Sequence, residues 1–459
     1  MLYLFFILII FLVILPAYFL KKRKNVEVKG AVLCLFRTKR GLRLLDSLAK
    51  TRFWDYFSDM AIIFSFGLIA ALYLSLEKKE KAINYVVLYV LSILSNFFIL
   101  TLLMAPNVLG LEILTPNVLR SFGKTVMMPF INLVFTVSIF GGLGFTTLLL
   151  LLIASANILV SYLMGIKPAP SITPVIPGVE IPGSPIYIPL HAVFALVILV
   201  VVHEIAHGII ARREKIKVKS LGILTVGIFP MGAFTEPDED ELKRSPVRKR
   251  MRVFAAGSMA NIITAFVFFC FFMLFYLTAA NNFVYDPMSI SPSFIPWGHD
   301  YVEGLKVVHV INKSNAFNAS LRPGEIIKNI DVVFEKRIPG SIAQIVTENR
   351  TLWVKRGANG LMGFDYYVIK KGSYDISIWV KKIIMEILYW TFTLNFTIAI
   401  INYLPFAIFD GAHILEDLAY FFMKKGKVKK AKKKAKIVVW IFSIITGAAL
   451  LLGALPYFT

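Results

Sequence analysis

Long apolar stretches constrain this chain more than any other feature of its sequence. A helix needs roughly 20 apolar residues to cross the hydrocarbon core of a bilayer. Apolar runs of about this length lie near residues 1–20, 60–76, 84–104, 131–164, 187–211, 252–280, 385–408 and 437–457. Because 57% of the residues are hydrophobic and only 17% are charged, a water-soluble chain and an intrinsically disordered chain are both excluded. We therefore predict a polytopic membrane protein with about eight transmembrane helices.

The run 131–164 is ambiguous, because it is too long for one straight span and contains glycines between 141 and 144. Hydropathy alone allows one tilted crossing or two. A single crossing places most basic clusters on one side of the membrane, which the positive-inside rule identifies as cytoplasmic. These clusters are 21–24, 212–217, 243–252 and 424–436. We therefore predict one crossing and an external N-terminus.

The net charge of +22 would suggest a nucleic-acid partner in a soluble protein. Here the lysines and arginines flank apolar spans, where they indicate topology and contact with anionic lipids. We therefore predict contact with the lipid bilayer and no nucleic-acid partner. The two cysteines, Cys34 and Cys270, provide neither a disulfide framework nor a cysteine metal cluster.

The motif with the clearest chemistry is His203-Glu204-Ile205-Ala206-His207, inside the apolar run 187–211. Histidines four residues apart lie on one helix face, about 6 Å apart along the axis, so both imidazoles can bind one zinc ion. Glu204 then lies beside the metal, where it can take a proton from metal-activated water and deliver it to a leaving amine. The alternative is a polar cluster that only joins helices, but ionisable residues inside a span are expensive and tend to be functional.

A catalytic zinc site needs a third protein ligand, and Asp410 is the best candidate near the membrane. It follows the apolar run 385–408 in the segment 402–411, which reads Asn-Tyr-Leu-Pro-Phe-Ala-Ile-Phe-Asp-Gly. Pro405 would break the helix and Gly411 would free the next turn, so irregular backbone delivers the carboxylate. A helix-end residue at the cytoplasmic interface is the alternative for Asp410.

His-Glu-x-x-His in one span and Asn-x-x-Pro followed by Asp-Gly in a later span are typical of one family. Over roughly 170–459 the chain resembles the site-2 proteases, which are intramembrane zinc metalloproteases. The resemblance implies that His203, His207 and Asp410 bind zinc and that Glu204 is the catalytic base. It also implies that Asn402 holds the substrate backbone or stabilises the oxyanion. From the residues alone, Asn402 could equally satisfy backbone groups that Pro405 frees.

About a hundred residues of mixed composition separate the runs 252–280 and 385–408. They contain strand-like runs such as 305–311 and 376–380. The part from Gly304 to Asp331 resembles a PDZ domain, and the resemblance implies an extracytoplasmic filter that admits substrates already cut by another protease. We therefore divide the chain into 1–165 with four spans, 166–280 as the first catalytic membrane region, 281–383 as the PDZ-like domain, and 384–459 as the second catalytic region with the last span.

Other segments have less specific patterns. The run 221–232 resembles the membrane-associated strands that follow the first catalytic helix in this family, where an unwound substrate can pair by strand addition; loop packing is the alternative. Gly257 and Asn261 have the spacing of closely packed helices. The charged run 236–252 is predicted to form a solvated interfacial turn. His413 is predicted to make a local hydrogen bond or to support the metal site.

We therefore predict an all-α polytopic membrane protein with a small α/β PDZ-like extracytoplasmic domain and a short membrane-associated β segment. The predicted function is a zinc endopeptidase of the cell membrane that cleaves transmembrane segments of other proteins. Two alternatives stay open. One is a zinc membrane protease of another family, whose third ligand is a glutamate on a later helix, and the other is a non-enzymatic receptor, scaffold or transporter.

Overall fold

The architecture is given by a computed structural model that describes most of the chain. The described residues are 14–20, 26–30, 32–104, 123–165, 168, 170–172, 176–179, 181, 187–226, 229–280, 283–286, 293–296, 301–333, 340–357, 362–372, 376–424 and 428–458. The α-helices are α1 (Leu15–Leu20), α2 (Leu42–Leu48), α3 (Phe53–Glu77), α4 (Ala82–Met104), α5 (Gly123–Leu163), α6 (Val193–Arg213), α7 (Glu239–Arg244), α8 (Val247–Ala279), α9 (Asn315–Asn318), α10 (Ile376–Asn402), α11 (Asp410–Met423) and α12 (Val428–Ala454). The strands are β1 (Val26–Lys29), β2 (Leu33–Thr38), β3 (Val218–Val226), β4 (Phe229–Pro237), β5 (Phe283–Asp286), β6 (Ser293–Pro296), β7 (Val302–Val310), β8 (Ile326–Ile327), β9 (Ile342–Val346), β10 (Thr351–Lys355) and β11 (Phe364–Lys370).

Six helices within the described ranges are long and apolar enough to cross a membrane, and each overlaps a predicted span. They are Phe53–Glu77, Asn132–Leu163, Leu190–Arg213, Val247–Ala279, Ile376–Asn402 and Val428–Tyr457. The predicted span 84–104 is also helical, as α4. The predicted span 1–20 lies mostly outside the described residues, so the total of eight stays a prediction. The chain is a mostly helical, multi-pass membrane protein.

The ambiguous run 131–164 lies within α5, which is broken at Gly142, where φ is 63°. Helix α3 is broken in a similar way at Gly67, where φ is 55°. The two breaks touch, because a Cβ on Gly142 would lie 2.5 Å from the backbone nitrogen of Gly67. Glycine tolerates both the positive φ and the close approach. The helices therefore cross where neither backbone carries a side chain.

A four-stranded antiparallel sheet lies beside α6, with the strand order β1-β2-β3-β4. The strands predicted in 221–232 are confirmed as the hairpin β3–β4, in which Leu221 pairs with Thr235. The N-terminal hairpin β1–β2 extends this sheet, with Cys34 paired with Thr225. The sheet leaves β4 at one edge, next to the helix that carries the His-Glu-x-x-His motif.

The largest apolar core joins the N-terminal helices to this region. It contains fully buried side chains of α3, α6 and the segment after α10, including Ile62, Phe66, Ile210 and Tyr403. Because one core spans all of these elements, α3 and the first catalytic helix pack as one unit.

A buried ionic cluster also joins α3 to α8 and to Glu214, the residue that follows α6. The carboxylate of Asp59 in α3 accepts hydrogen bonds from Arg248 at 2.6 Å and from Arg252 at 2.8 Å. Arg252 also donates to Glu214. The prediction of a solvated turn across the charged run is wrong for these arginines, whose exposed fractions are 6% and 8%. Buried guanidinium groups need a carboxylate partner, and a distant helix supplies it.

Strands β7 to β11 form a separate unit with its own core, in which Leu305, Ile327, Ile345 and Val354 are fully buried. A soluble domain was predicted here, and its likeness to a PDZ domain stays a prediction. The predicted strand 376–380 is wrong, because α10 begins at Ile376. Its β-branched and aromatic residues favour a strand locally, but the long apolar helix that follows extends through them. The domain boundary at 384 stays a prediction.

Candidate metal centre

The structure brings the three predicted metal ligands together. The Nε2 atoms of His203 and His207 lie 3.0 Å apart, and each lies 3.4 Å from Oδ2 of Asp410. A tetrahedral zinc ion with bonds of about 2.0–2.1 Å would separate its ligand atoms by about 3.3 Å. The three atoms therefore have the spacing of a zinc ligand set with one open position.

The other nitrogen of His207 is held by a backbone carbonyl. Its Nδ1 donates to the carbonyl oxygen of Val253 in α8 at 2.7 Å. Once Nδ1 carries the proton, Nε2 has a free lone pair that faces Asp410. This is the tautomer that a metal-binding histidine needs.

The corresponding contact of His203 is with Asn261, a fully buried residue of α8. The side-chain amide nitrogen of Asn261 lies 3.2 Å from His203 Nδ1. Within the described part of the chain, Oδ1 of Asn261 has no hydrogen-bond partner. Turning the amide by 180° lets this oxygen accept from Nδ1–H and leaves Nε2 of His203 for a metal. The orphaned oxygen therefore fits a His203 that binds a cation.

Gly257 provides the space in which the two rings lie. A Cβ on Gly257 would lie 2.5 Å from Cε1 of His203 and 2.5 Å from Nε2 of His207. The close helix packing predicted for Gly257 and Asn261 is therefore confirmed, and both residues contact the histidines. This contribution to the site was not predicted from the sequence, although the spacing of Gly257 and Asn261 by four residues on one helix face was the available signal.

Asp410 is the first residue of α11 and follows an irregular segment after α10 ends at Asn402. The helix break predicted from Pro405 is confirmed, because proline lacks the N–H that a continuing helix requires. Gly411 permits a close approach, since a Cβ there would lie 2.1 Å from the carbonyl oxygen of Tyr403. The irregular segment and the helix start together point the carboxylate at the histidines.

Glu204 lies next to His203 on α6, but its carboxylate faces the sheet. Its Oε2 accepts a hydrogen bond from the backbone N–H of Thr235 in β4 at 2.7 Å, and its carbonyl oxygen accepts from the Thr235 hydroxyl at 2.5 Å.

Asn402 is half-buried at the end of α10, and its role stays a prediction. His413 stacks on Phe254 with ring centroids 4.4 Å apart, so ring packing is the contact described for it.

Comparison with known proteins agrees with this geometry. The family model for peptidase family M50 matches residues 191–447, which is more than half of the chain and includes both motifs.

Two relatives illustrate the range of similarity. The chain is 28% identical over 227 residues to an uncharacterized protein of Methanocaldococcus jannaschii, a match that covers 48% of this chain and 55% of the relative. It is 30% identical over 141 residues to the membrane-bound transcription factor site-2 protease homolog of Arabidopsis thaliana, which covers 31% of this chain and 24% of that protein. The chain thus matches about half of the first relative's length and about a quarter of the second's. On the extent of the family match, the chain belongs to peptidase family M50, the site-2 protease family.

Proposed function

We propose that this chain is an intramembrane zinc endopeptidase that cleaves transmembrane segments of other membrane proteins. The observation that carries the proposal is the convergence of His203, His207 and Asp410, whose ligand atoms all lie within 4.8 Å of one another. Membership of peptidase family M50 supports peptide hydrolysis. Two imidazoles and one carboxylate are donors that suit zinc and leave a coordination position open.

Each polar residue of the site has a proposed role. Zinc bound there would supply a Lewis acid that polarises the scissile carbonyl and activates water at neutral pH. The Glu204 carboxylate would accept a proton from the nucleophile and return it to the leaving amine. The Asn402 amide would donate to the substrate carbonyl as negative charge develops on its oxygen. Val253 and Asn261 would hold the imidazoles in the metal-binding tautomer.

The substrate must expose its backbone before it can be cut, because carbonyls inside a helix are already hydrogen-bonded. The edge of β4 beside Glu204 supports a role in pairing with the unwound segment. We propose that substrates have already been cut by another protease and that the domain formed by β7 to β11 is a PDZ-like filter outside the cytoplasm. We propose the cell membrane as the location.

The test uses the full chain purified in detergent or nanodiscs, with a single-span reporter protein as substrate. We expect the parent to cut the reporter within its transmembrane segment and Glu204→Gln to lower the rate by roughly 10²–10⁴-fold. Zinc content should fall in His203→Ala and Asp410→Ala and stay at the parent level in Glu204→Gln. An Asp46→Ala variant is the control, because that carboxylate is exposed in an ion pair with Arg212.

Each adverse result identifies a different error. Undiminished cleavage by Glu204→Gln would refute the catalytic mechanism. Zinc retained by Asp410→Ala would favour a zinc protease with another third ligand. The absence of zinc from folded, inactive parent protein would favour a non-enzymatic receptor, scaffold or transporter.

A further inference from the structure

Thr235 in β4 contacts Glu204 through two separate groups. The Thr235 backbone N–H donates to the Glu204 carboxylate at 2.7 Å, and the Thr235 hydroxyl donates to the Glu204 carbonyl oxygen at 2.5 Å. The first contact holds the end of the side chain, and the second holds the backbone to which that side chain is attached. A residue held at both places loses most of its freedom to turn away from the metal centre.

The amide of Thr235 is free for this contact because of the strand register. In an antiparallel sheet, consecutive residues point their N–H groups alternately toward the neighbouring strand and away from it. Thr235 pairs with Leu221, and Ala233 pairs with Ile223 two residues earlier, with regular pairing between them. Since the Thr235 N–H reaches Glu204 on the side of β4 that faces away from β3, the Ala233 N–H faces that same side. The two amides differ because the Thr235 N–H already donates a hydrogen bond to the Glu204 carboxylate.

This register fixes where a paired strand would meet the catalytic base. A peptide that pairs with the open edge of β4 would use the Ala233 amide. The Thr235 N–H already donates to the Glu204 carboxylate, so it is not available to a paired peptide. Pairing along this edge therefore ends beside the catalytic base, Glu204. The segment that leaves the pairing there would reach Glu204 and the metal ligands next to it on α6.

We propose that Thr235 is the positioning residue of Glu204 and that it fixes the base at the end of the β4 edge on which the substrate pairs. The inference rests on the proposed function. A hydrogen bond from an uncharged donor to a carboxylate is stronger than one between neutral groups, so its loss frees the carboxylate to leave the reactive position. A threonine that only joins α6 to β4 is the competing interpretation, supported by the packing of Thr235 Cγ2 against Gly208.

Kinetics on four variants separate these interpretations. Thr235→Pro removes the amide that Glu204 uses, and Ala233→Pro removes the neighbouring amide on the same edge; proline is tolerated at such edge positions because no ladder bond is lost. Thr235→Val removes the hydroxyl at nearly constant shape, and Thr235→Ser restores it. With the transmembrane reporter we expect kcat to fall about 10- to 100-fold in Thr235→Pro with KM little changed. Thr235→Val should lose less, and Thr235→Ser should return to the parent value.

The matched control, Ala233→Pro, should show the opposite pattern, in which KM changes and kcat does not. Ala233→Pro should keep kcat within about twofold of the parent and raise KM, because it affects substrate pairing and leaves Glu204 held. A Thr235 with only a structural role would lower the melting temperature in Thr235→Pro and Thr235→Val without lowering kcat of the folded fraction. That result would overturn the inference.

Hydrogen exchange tests the contact without any substrate or proline. In the full chain the Thr235 amide should exchange at least about tenfold faster in Glu204→Ala than in Glu204→Gln, since glutamine retains an acceptor oxygen. The Ala233 amide should exchange equally in both. Equal rates at Thr235, with reporter cleavage intact in the parent, would overturn this inference alone. A folded parent that binds zinc and cuts no reporter would instead remove the proposed function on which it depends.

Discussion

Gly257 lies against His203 so closely that a Cβ on the glycine would be 2.5 Å from Cε1 of the ring. The same Cβ would lie 2.5 Å from Nε2 of His207. Neither ring can easily move away from Gly257. The carbonyl oxygen of Val253 accepts from Nδ1 of His207, and the side-chain amide of Asn261 contacts Nδ1 of His203. The absence of a side chain at Gly257 of α8 is therefore a requirement of the metal centre, because it leaves room for the two imidazole rings.

We expect Gly257→Ala to lose zinc, because the added methyl group must displace at least one imidazole by a distance that breaks the ligand geometry. Metal analysis of the purified full chain should show at least about a tenfold loss of affinity with the helical content retained. Gly447→Ala, in helix α12, is the matched control, since its Cβ would lie at an ordinary 3.5 Å from the ring of Phe406. Full zinc content in Gly257→Ala would show that α8 does not confine the histidines.

Asn261→Ala should weaken zinc binding by about 10- to 100-fold, the effect typical of removing a group that orients a metal-binding histidine. The substitution removes the group that lies 3.2 Å from His203 Nδ1, so the ring and its tautomer are no longer fixed. Competition with a chelator of known affinity measures the change. Asn395→Ala is the control, because this fully buried asparagine donates to Thr391 of its own helix. Equal zinc affinity in the two variants would contradict the role assigned to Asn261.

The parts of the site that follow from short segments could be predicted from the sequence. Two histidines four apart on a helix must share a face, and Pro405 must end a helix, whatever the rest of the chain does. In both cases the physical cause lies within a few residues of its effect. The strands of the hairpin β3–β4 were instead expected from the resemblance of the run 221–232 to the membrane-associated strands of the family.

Contacts between distant segments could not be predicted in this way. Asp59 meets Arg248 and Arg252 across about 190 positions, and nothing in the local charge pattern distinguishes buried arginines from solvated ones. The pairing of Cys34 with Thr225 is equally remote. Thr235 gives no sign in the sequence that it contacts Glu204, because the contact uses a backbone amide whose direction depends on strand register.

Asp59→Ala should destabilise the whole catalytic unit by about 3–5 kcal/mol, because it leaves Arg248 and Arg252 without this carboxylate in a buried site. Thermal unfolding of the full chain in nanodiscs measures the loss. Asp46→Ala, which removes an exposed partner of Arg212, should change the stability by at most about 1 kcal/mol. If both variants unfold at the parent temperature, α3 does not contribute to the stability of the helices that carry the site.

The crossing of α3 and α5 gives a last prediction, in which two glycines share a positive φ and differ in their surroundings. Gly142 has φ 63° and Gly165, just after α5, has φ 70°. A Cβ on Gly142 would lie 2.5 Å from the Gly67 nitrogen, whereas a Cβ on Gly165 would have no neighbour among the described residues within 4 Å. Gly165→Ala should therefore cost only the backbone strain of about 1–2 kcal/mol. Gly142→Ala must also separate two packed helix backbones, so its melting temperature should fall clearly further than that of Gly165→Ala. Equal losses would mean that the helices can move apart at their crossing without cost.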